Sequence, residues 1–308
     1  MIGIKKIASY VPHERIDNVA QAEKFDRDAE FVRVKLGTET LAIKAADEES
    51  SDLAVKAVQN LIHKTPEFDL EKVQAVIVVT QNGDGEGLPH TAAIVQDKLG
   101  LAKTIAAFDI GLGCSGYVYG LYAAQGFMQA TGMKNALLIT ADPYSKIINM
   151  EDRVTSMLFG DAATVTWLGE DPEWRLGACD FGTDGSGAEY LVTKGGHFHM
   201  NGRQVFNFAS QKIVPHIQGV LEKEQMQLEQ VDSFLLHQGS AAIVDAITKR
   251  LGVDESKVIK DMMGVGNTVS SSIPLLLEHY AFTSNWSNLV MSGFGVGLSW
   301  ASAILFRT

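Results

Sequence analysis

Internal repetition constrains this chain more than any other feature. "VQAVIVVT" (73–80) leads into a helical pattern ending "DKLG", and "VDSFLL" (231–236) leads into one ending "TKRLG". The closing glycines, Gly100 and Gly252, stand 152 positions apart. Next, "GLGCSG" carries Cys114, and 153 positions on, "GVGNTVSSSIP" carries Asn267. "NALLITAD" (135–142) is then answered by "SNLVMSGF" (287–294). Three matches in one order at nearly one offset read as two copies of a βα unit set. Strand-length apolar runs alternating with helical patterns make the class layered α/β, with mainly parallel sheets. The acid-rich "GEDPEW" around Pro172 is the expected seam, dividing the chain into halves 1–170 and 171–308.

Composition sets the remaining bounds. A 308-residue chain with 46% hydrophobic content can fill a sizeable core. A net charge of -11 leaves no basic stripe for phosphate backbones, so nucleic acid is not an expected partner. Two cysteines cannot make a disulfide framework, and "MIGIKKIASYVP" reads as a strand rather than a leader, so a reducing cytoplasm is expected. "LVMSGFGVGLSWASAILF" (289–306) is uncharged and almost of membrane-spanning length. Its glycines and serines suit two buried strands joined by a tight turn better, and no membrane association is expected.

If the copies pack about a pseudo-twofold axis, equivalent turns face each other and Cys114 meets Asn267. A glycine-flanked turn opening a helix aims N–H groups at its side chain and sets it at the positive end of the macrodipole, which favours thiolate. A free cysteine can equally be a small buried hydrophobe. Cys179, in "RLGACDFG", lacks such a turn and is read that way. His237, in "FLLHQGS", follows a strand and precedes a helix, where α/β active sites lie. Together the three would supply a sulfur nucleophile, an imidazole donor or base, and an amide that donates without titrating. "HFH" (197–199) has strand spacing for a metal but no further ligand cluster, and no metal is expected.

"DIGLGCSGYVYGL", "EDRVTSMLFGDAATV", "LLHQGSAAI", "GVGNTVSSSIP" and "SGFGVGLSWASAIL" resemble the β-ketoacyl-acyl-carrier-protein synthase III family of thiolase-fold condensing enzymes. The resemblance implies a duplicated, five-layered αβαβα thiolase-like fold with two mainly parallel mixed sheets, usually as a homodimer. It implies an acyltransferase that loads an acyl group from acyl-coenzyme A onto cysteine. That group is then condensed with a malonyl thioester, on acyl carrier protein or coenzyme A, in fatty-acid or related secondary-metabolite synthesis. It implies no cofactor and no metal. Position by position, Cys114 matches the acylated nucleophile, and His237 and Asn267 match the pair that holds the malonyl thioester oxygen. The backbone N–H groups of Cys114 and of "GFGVG" near Val296 match the oxyanion hole, and Phe294 the aromatic wall beside the cysteine.

Departures from the family pattern concern the substrate. In "AEFVRVKLG", Phe31 and Lys35 stand where the family commonly carries tryptophan and arginine, although Arg153 matches its other adenine-side arginine. Gly239 and Ser240 replace the usual Ala-Asn after the glutamine that follows the histidine. Leu88 stands where a dimer partner often contributes a phenylalanine that closes the acyl pocket, so medium-length acyl groups are expected unless Met157 or Met200 refills the space. Lys249 and Arg250 in "ITKRLG" are either a carrier-protein docking patch or a solvated helix end. Among rival activities, a thiolase needs a second cysteine in the final glycine-rich turn, and hydroxymethylglutaryl-coenzyme A synthase needs a placed glutamate. Acyl transfer to another nucleophile, type III polyketide synthesis and a partner subunit of a heteromeric synthase remain alternatives.

Overall fold

Ala75–Val79, the run AVIVV, is buried at every residue, as expected of a central strand covered on both faces. In the computed structural model, which describes residues 1–308, this run is the fourth of thirteen strands. The first half holds β1 (Gly3–Tyr10), β2 (Glu14–Asp17), β3 (Thr40–Ile43), β4 (Ala75–Val79), β5 (Ala106–Ile110), β6 (Asn135–Ala141) and β7 (Ala163–Gly169). The second holds β8 (Trp174–Thr183), β9 (Leu191–Lys194), β10 (His197–Met200), β11 (Ser233–Leu236), β12 (Asn288–Gly295) and β13 (Ser299–Arg307). The helices are α1 (Asn18–Glu23), α2 (Ser50–Lys64), α3 (Thr91–Lys98), α4 (Gly116–Thr131), α5 (Gly202–Lys223), α6 (Ala241–Leu251) and α7 (Ser272–Leu276).

The strand order is β5-β4-β6-β7-β1 in one sheet and β11-β12-β13-β8 in the other, with the single pair Ile4–Trp174 joining their edges. Strands β8, β11, β12 and β13 repeat the placement of β1, β4, β6 and β7. The counterpart of β5 is reduced to one parallel bridge, Phe234 to Val258. Gly100 and Gly252 both adopt left-handed backbone, at φ +65° and +73°, where α3 and α6 end. The sheets are mixed in nearly even measure. Parallel pairing joins β4 to β5 and β6, and β11 to β12, whereas the ladders from β6 through β7 to β1 and from β12 through β13 to β8 are antiparallel. The uncharged stretch 289–306 forms the β12–β13 hairpin, with its turn at residues 296–298.

Five layers follow from what each helix packs against. Helices α2 and α3 cover the outer face of the first sheet, α5 packs on β8, β12 and β13 of the second with α6 against it, and α4 and α7 lie between the sheets. Helix α4 is free of charge because it is enclosed on both sides, with Tyr117, Val118, Leu121, Ala124 and Met128 inaccessible to solvent. At Gly116 a Cβ would fall 2.4 Å from Val79 Cγ1, so only glycine lets the start of this helix reach the sheet. Cys114 precedes that start, His237 follows β11, and Asn267 lies between α6 and α7, bridged to Phe159. Cys114 and His237 thus stand at the C-terminal ends of parallel strands, where α/β folds place their chemistry.

Candidate active site

Cys114 sits in the turn between β5 and α4, and it is 7% exposed. Gly295, at the end of β12, faces it so closely that a Cβ there would lie 2.7 Å from the sulfur. The N–H groups of Val296 and of Cys114 itself face the sulfur. They are the two backbone donors expected there, and the convergence of β12 on the turn places them. The thiolate expected from the turn is not the resting state. Burial of the sulfur pushes its pKa up to about 12, Asp142 adds to the rise, and the two N–H groups offset it only in part.

His237 and Asn267 are both almost wholly buried. The His237 Nδ1 lies 2.8 Å from Ser272 Oγ, and its ring meets Phe294 edge-on, with centroids 5.5 Å apart at 85°. Burial holds its pKa down at about 3, so the ring is neutral at physiological pH. The Asn267 amide is oriented by an unambiguous donor, since Val269 N–H donates to its Oδ1 at 2.9 Å. Its Nδ2 approaches the Gly239 carbonyl at 3.4 Å and is presented to the cavity that Asn267 lines. Val269 accomplishes this at φ +53°, a left-handed conformation rare for a β-branched residue.

A cavity of about 320 Å³ joins these groups. Its buried wall is the aromatic cluster of Tyr144, Phe159 and Phe198: the first two stack at 4.9 Å, and Phe198 is edge-on to both. The Tyr144 hydroxyl donates to Gln81 at 3.0 Å. The entrance holds Arg27, whose guanidinium lies 5.1 Å over the Phe31 ring, with Arg153 and Phe206 beside it.

Of the residues predicted from sequence, Phe31, Arg153, Met200, Phe294 and Val296 line this cavity with Cys114, His237 and Asn267. Met157 does not. It is buried beneath the α1 region with Ala22 and Val32, and its carbonyl accepts hydrogen bonds from Asn18 and Thr38. Lys35 does not either, because the π-helical turn Phe31–Leu36 directs it to solvent. Leu88 is 90% exposed on the loop before α3 and lies outside this chain's own cavity. Lys249 and Arg250 are exposed in the last turn of α6. His197 and His199 are exposed while Phe198 between them is buried, and no three His, Cys, Asp or Glu side chains gather to hold a metal. Sequence reasoning missed Tyr144, Phe198 and Ser272. The serine run after Asn267, polar yet flanked by apolar residues, was the available signal for Ser272.

A buried thiol facing two backbone donors, with a neutral imidazole and an amide across a largely apolar cavity, suits acyl transfer and stabilisation of a developing oxyanion. Comparison with known families agrees with that chemistry. Residues 108–185 match the model for 3-oxoacyl-acyl-carrier-protein synthase III, and residues 221–306 match its C-terminal model. The chain belongs to this family. It is 34% identical to the β-ketoacyl-acyl-carrier-protein synthase III of Clostridium perfringens, over 96% of each chain. It is also 34% identical to that of Listeria monocytogenes, over 98% of each. The solved synthase III of Thermus thermophilus superimposes with a TM-score of 0.92 at 33% identity, covering 99% of both chains. A priming β-ketosynthase of a polyketide pathway superimposes at 0.89 with 26% identity, covering 100% of this chain and 96% of that one. Like its relatives, this synthase III family member is a condensing transferase with the thiolase-like fold. No helix is long and apolar enough to cross a membrane.

Proposed function

We propose that the protein takes an acyl group from acyl-coenzyme A onto Cys114 and condenses it with a malonyl thioester, in fatty-acid or related secondary-metabolite synthesis. The thiol attacks the acyl thioester, its proton leaves with coenzyme A, and the Val296 and Cys114 N–H groups hold the tetrahedral oxyanion. The malonyl group then loses carbon dioxide. Its enolate oxygen is held by His237 and Asn267, its carbon attacks the acyl group, and Cys114 departs as thiolate and regains a proton. No cofactor or metal enters the scheme. Two neutral donors stabilise the enolate without a basic group that would hold a proton ready for its carbon. One observation carries the reading: the Asn267 amide is locked with its nitrogen toward the cavity by the Val269 N–H.

Phe31 and Arg153 at the entrance suit the adenine end of coenzyme A, and Met200 and Phe294 lie along the cavity wall. The seam near residues 170–171 separates a half supplying Cys114 from one supplying His237 and Asn267. A homodimer is supported by β5, an edge strand with every residue half-buried, and by the exposed Leu88 nearby. Lys249 and Arg250 suit an acidic carrier protein bearing the extender, and the two free thiols suit a reducing cytoplasm.

The test is Asn267→Ala. Acylation from acyl-coenzyme A stays near the wild-type rate while malonyl-coenzyme A decarboxylation falls on the order of 10²-fold. Full decarboxylation in this variant would make simple acyl transfer the better reading.

A further inference from the structure

Helix α4 begins with a serine that does not cap it. Ser115 follows the nucleophile, and its hydroxyl accepts no N–H from the first turn, the usual task of a serine at a helix start. It lies instead 2.6 Å from the Ser299 hydroxyl, 184 positions away in the other half of the chain. Both side chains are almost wholly buried, and neither hydroxyl has a second partner. Ser299 opens β13 and pairs with Gly295 on the last rung of the β12–β13 ladder, one residue before Val296. The Val296 N–H makes no backbone hydrogen bond and faces the Cys114 sulfur. A Cβ on Gly293 would fall 2.6 Å from the Cys114 carbonyl oxygen and 2.9 Å from the Ser115 Cα. Gly293 and Gly295 thus let the two segments touch but offer no side chain to hold them together. Apart from the contact of the sulfur itself, the hydroxyl pair is the one hydrogen bond between residues 111–116 and 293–299.

We propose that Ser115 and Ser299 are positioning residues, a hydroxyl clasp that sets the separation of the two backbone N–H groups at Cys114. The inference rests on the reading of those N–H groups as the oxyanion hole for acyl transfer. One donor belongs to the nucleophile turn and the other to the turn at 296–298, so their spacing is a distance between the two halves of the chain. The clasp crosses the same gap, from the residue after Cys114 to the ladder partner of the residue before Val296. It works whichever hydroxyl donates. Each hydroxyl is the other's sole partner, so removing one leaves a buried hydroxyl unpaired, whereas removing both leaves none. His237 and Asn267 have their nearest polar partners at Ser272 and Val269, outside both turns, so the enolate site does not depend on the clasp.

The test compares Ser115→Ala, Ser299→Ala and the double variant in the full-length protein. Acylation of Cys114 by acyl-coenzyme A, followed by intact mass, slows about 10-fold in each single variant with little change in KM, short of the loss of about 10²-fold for an oxyanion donor removed outright. The double variant is no slower than the slower single one, because all three lack the same bond. Decarboxylation of malonyl-coenzyme A stays near the wild-type rate in all three, which a general disordering of the site would not allow. Alkylation of Cys114 by iodoacetamide slows about threefold, since a sulfur further from the Val296 N–H ionises less readily. A turn that had merely become looser and wetter would speed alkylation, because burial is what keeps this thiol protonated. Unchanged acylation in both single variants overturns the proposal, as does a double variant whose loss is the product of the two single losses, or faster alkylation in the single variants. If wild-type Cys114 takes no acyl group, the reading of the function falls instead, and the alkylation rates still judge the clasp by themselves.

Discussion

Replacing Gly295 by alanine adds one methyl group at the point where β12 meets the nucleophile. That carbon would lie 2.7 Å from Cys114 Sγ and 2.9 Å from its Cβ. Ordinary contacts between such atoms are about 3.5–4.0 Å, so the thiol or the 295–296 turn must give way by about 1 Å. Either movement separates the sulfur from the Val296 N–H. A misplacement of about 1 Å in a reacting group costs on the order of 10²-fold in rate, and overpacking a filled site costs about 1–3 kcal/mol of stability. We therefore expect Gly295→Ala to fold with a melting temperature a few degrees lower and to acylate about 100-fold more slowly. The assay is the rate of the acyl mass increment on intact protein after mixing with acyl-coenzyme A. Gly219→Ala is the control. It lies in α5 with no neighbour within 4 Å of its added Cβ, so it leaves acylation unchanged and stabilises the helix by roughly 0.5–1 kcal/mol. If Gly295→Ala acylates at the wild-type rate, the packing of this turn does not set the position of the nucleophile.

The other expectations involve single side chains. Cys179 is half-buried and its thiol pKa is raised by burial, so peptide mapping after incubation with acyl-coenzyme A finds the adduct on Cys114 alone, and Cys114→Ala carries none. His237 has a folded-state pKa of about 3 against an ordinary 6.5, so between those values the unfolded chain binds a proton that the folded one refuses. Its contribution, on the order of 5 kcal/mol, is fully present above pH 6.5 and is lost as pH falls toward 3, and His237→Gln flattens that acid limb in chemical denaturation. Leu88→Phe shifts the acyl preference shorter by one or two methylenes, each worth about 0.8 kcal/mol, when specificity constants are compared from acetyl to decanoyl thioesters. A wild-type maximum at acetyl, unmoved by the substitution, would show that Leu88 does not set the pocket length.

What could be read from sequence was whatever leaves a local mark. Gly100 and Gly252 end equivalent helices in left-handed backbone, and that requirement kept both visible at one offset. The cysteine and histidine turns were legible because each lies between a strand and a helix, and the asparagine turn, which lies between α6 and α7, because it repeats the cysteine turn at an offset of 153. Met157 was not, because its neighbours Asn18 and Thr38 come from more than a hundred residues away. The aromatic wall was hidden for the same reason: Tyr144 follows β6, Phe159 precedes β7, and Phe198 comes from a small hairpin of the other half. The protonation state of Cys114 was misjudged because the turn advertises its N–H groups, whereas the burial that outweighs them is contributed by distant parts of the chain.

The enclosed position of α4 bears on how the chain is made. Its residues leave the ribosome early, yet β12 and β13, which cover its second face, begin at Asn288 and Ser299. At roughly 5–20 residues per second, an apolar helix without a single charge waits about 10–30 s for its cover. A nascent chain halted near residue 170 would thus present Tyr119 and Tyr122, whose hydroxyls donate to the Gly182 and Gly177 carbonyls of β8, on a sticky, half-clothed surface, and an orphaned N-terminal fragment would be a client for holdase chaperones.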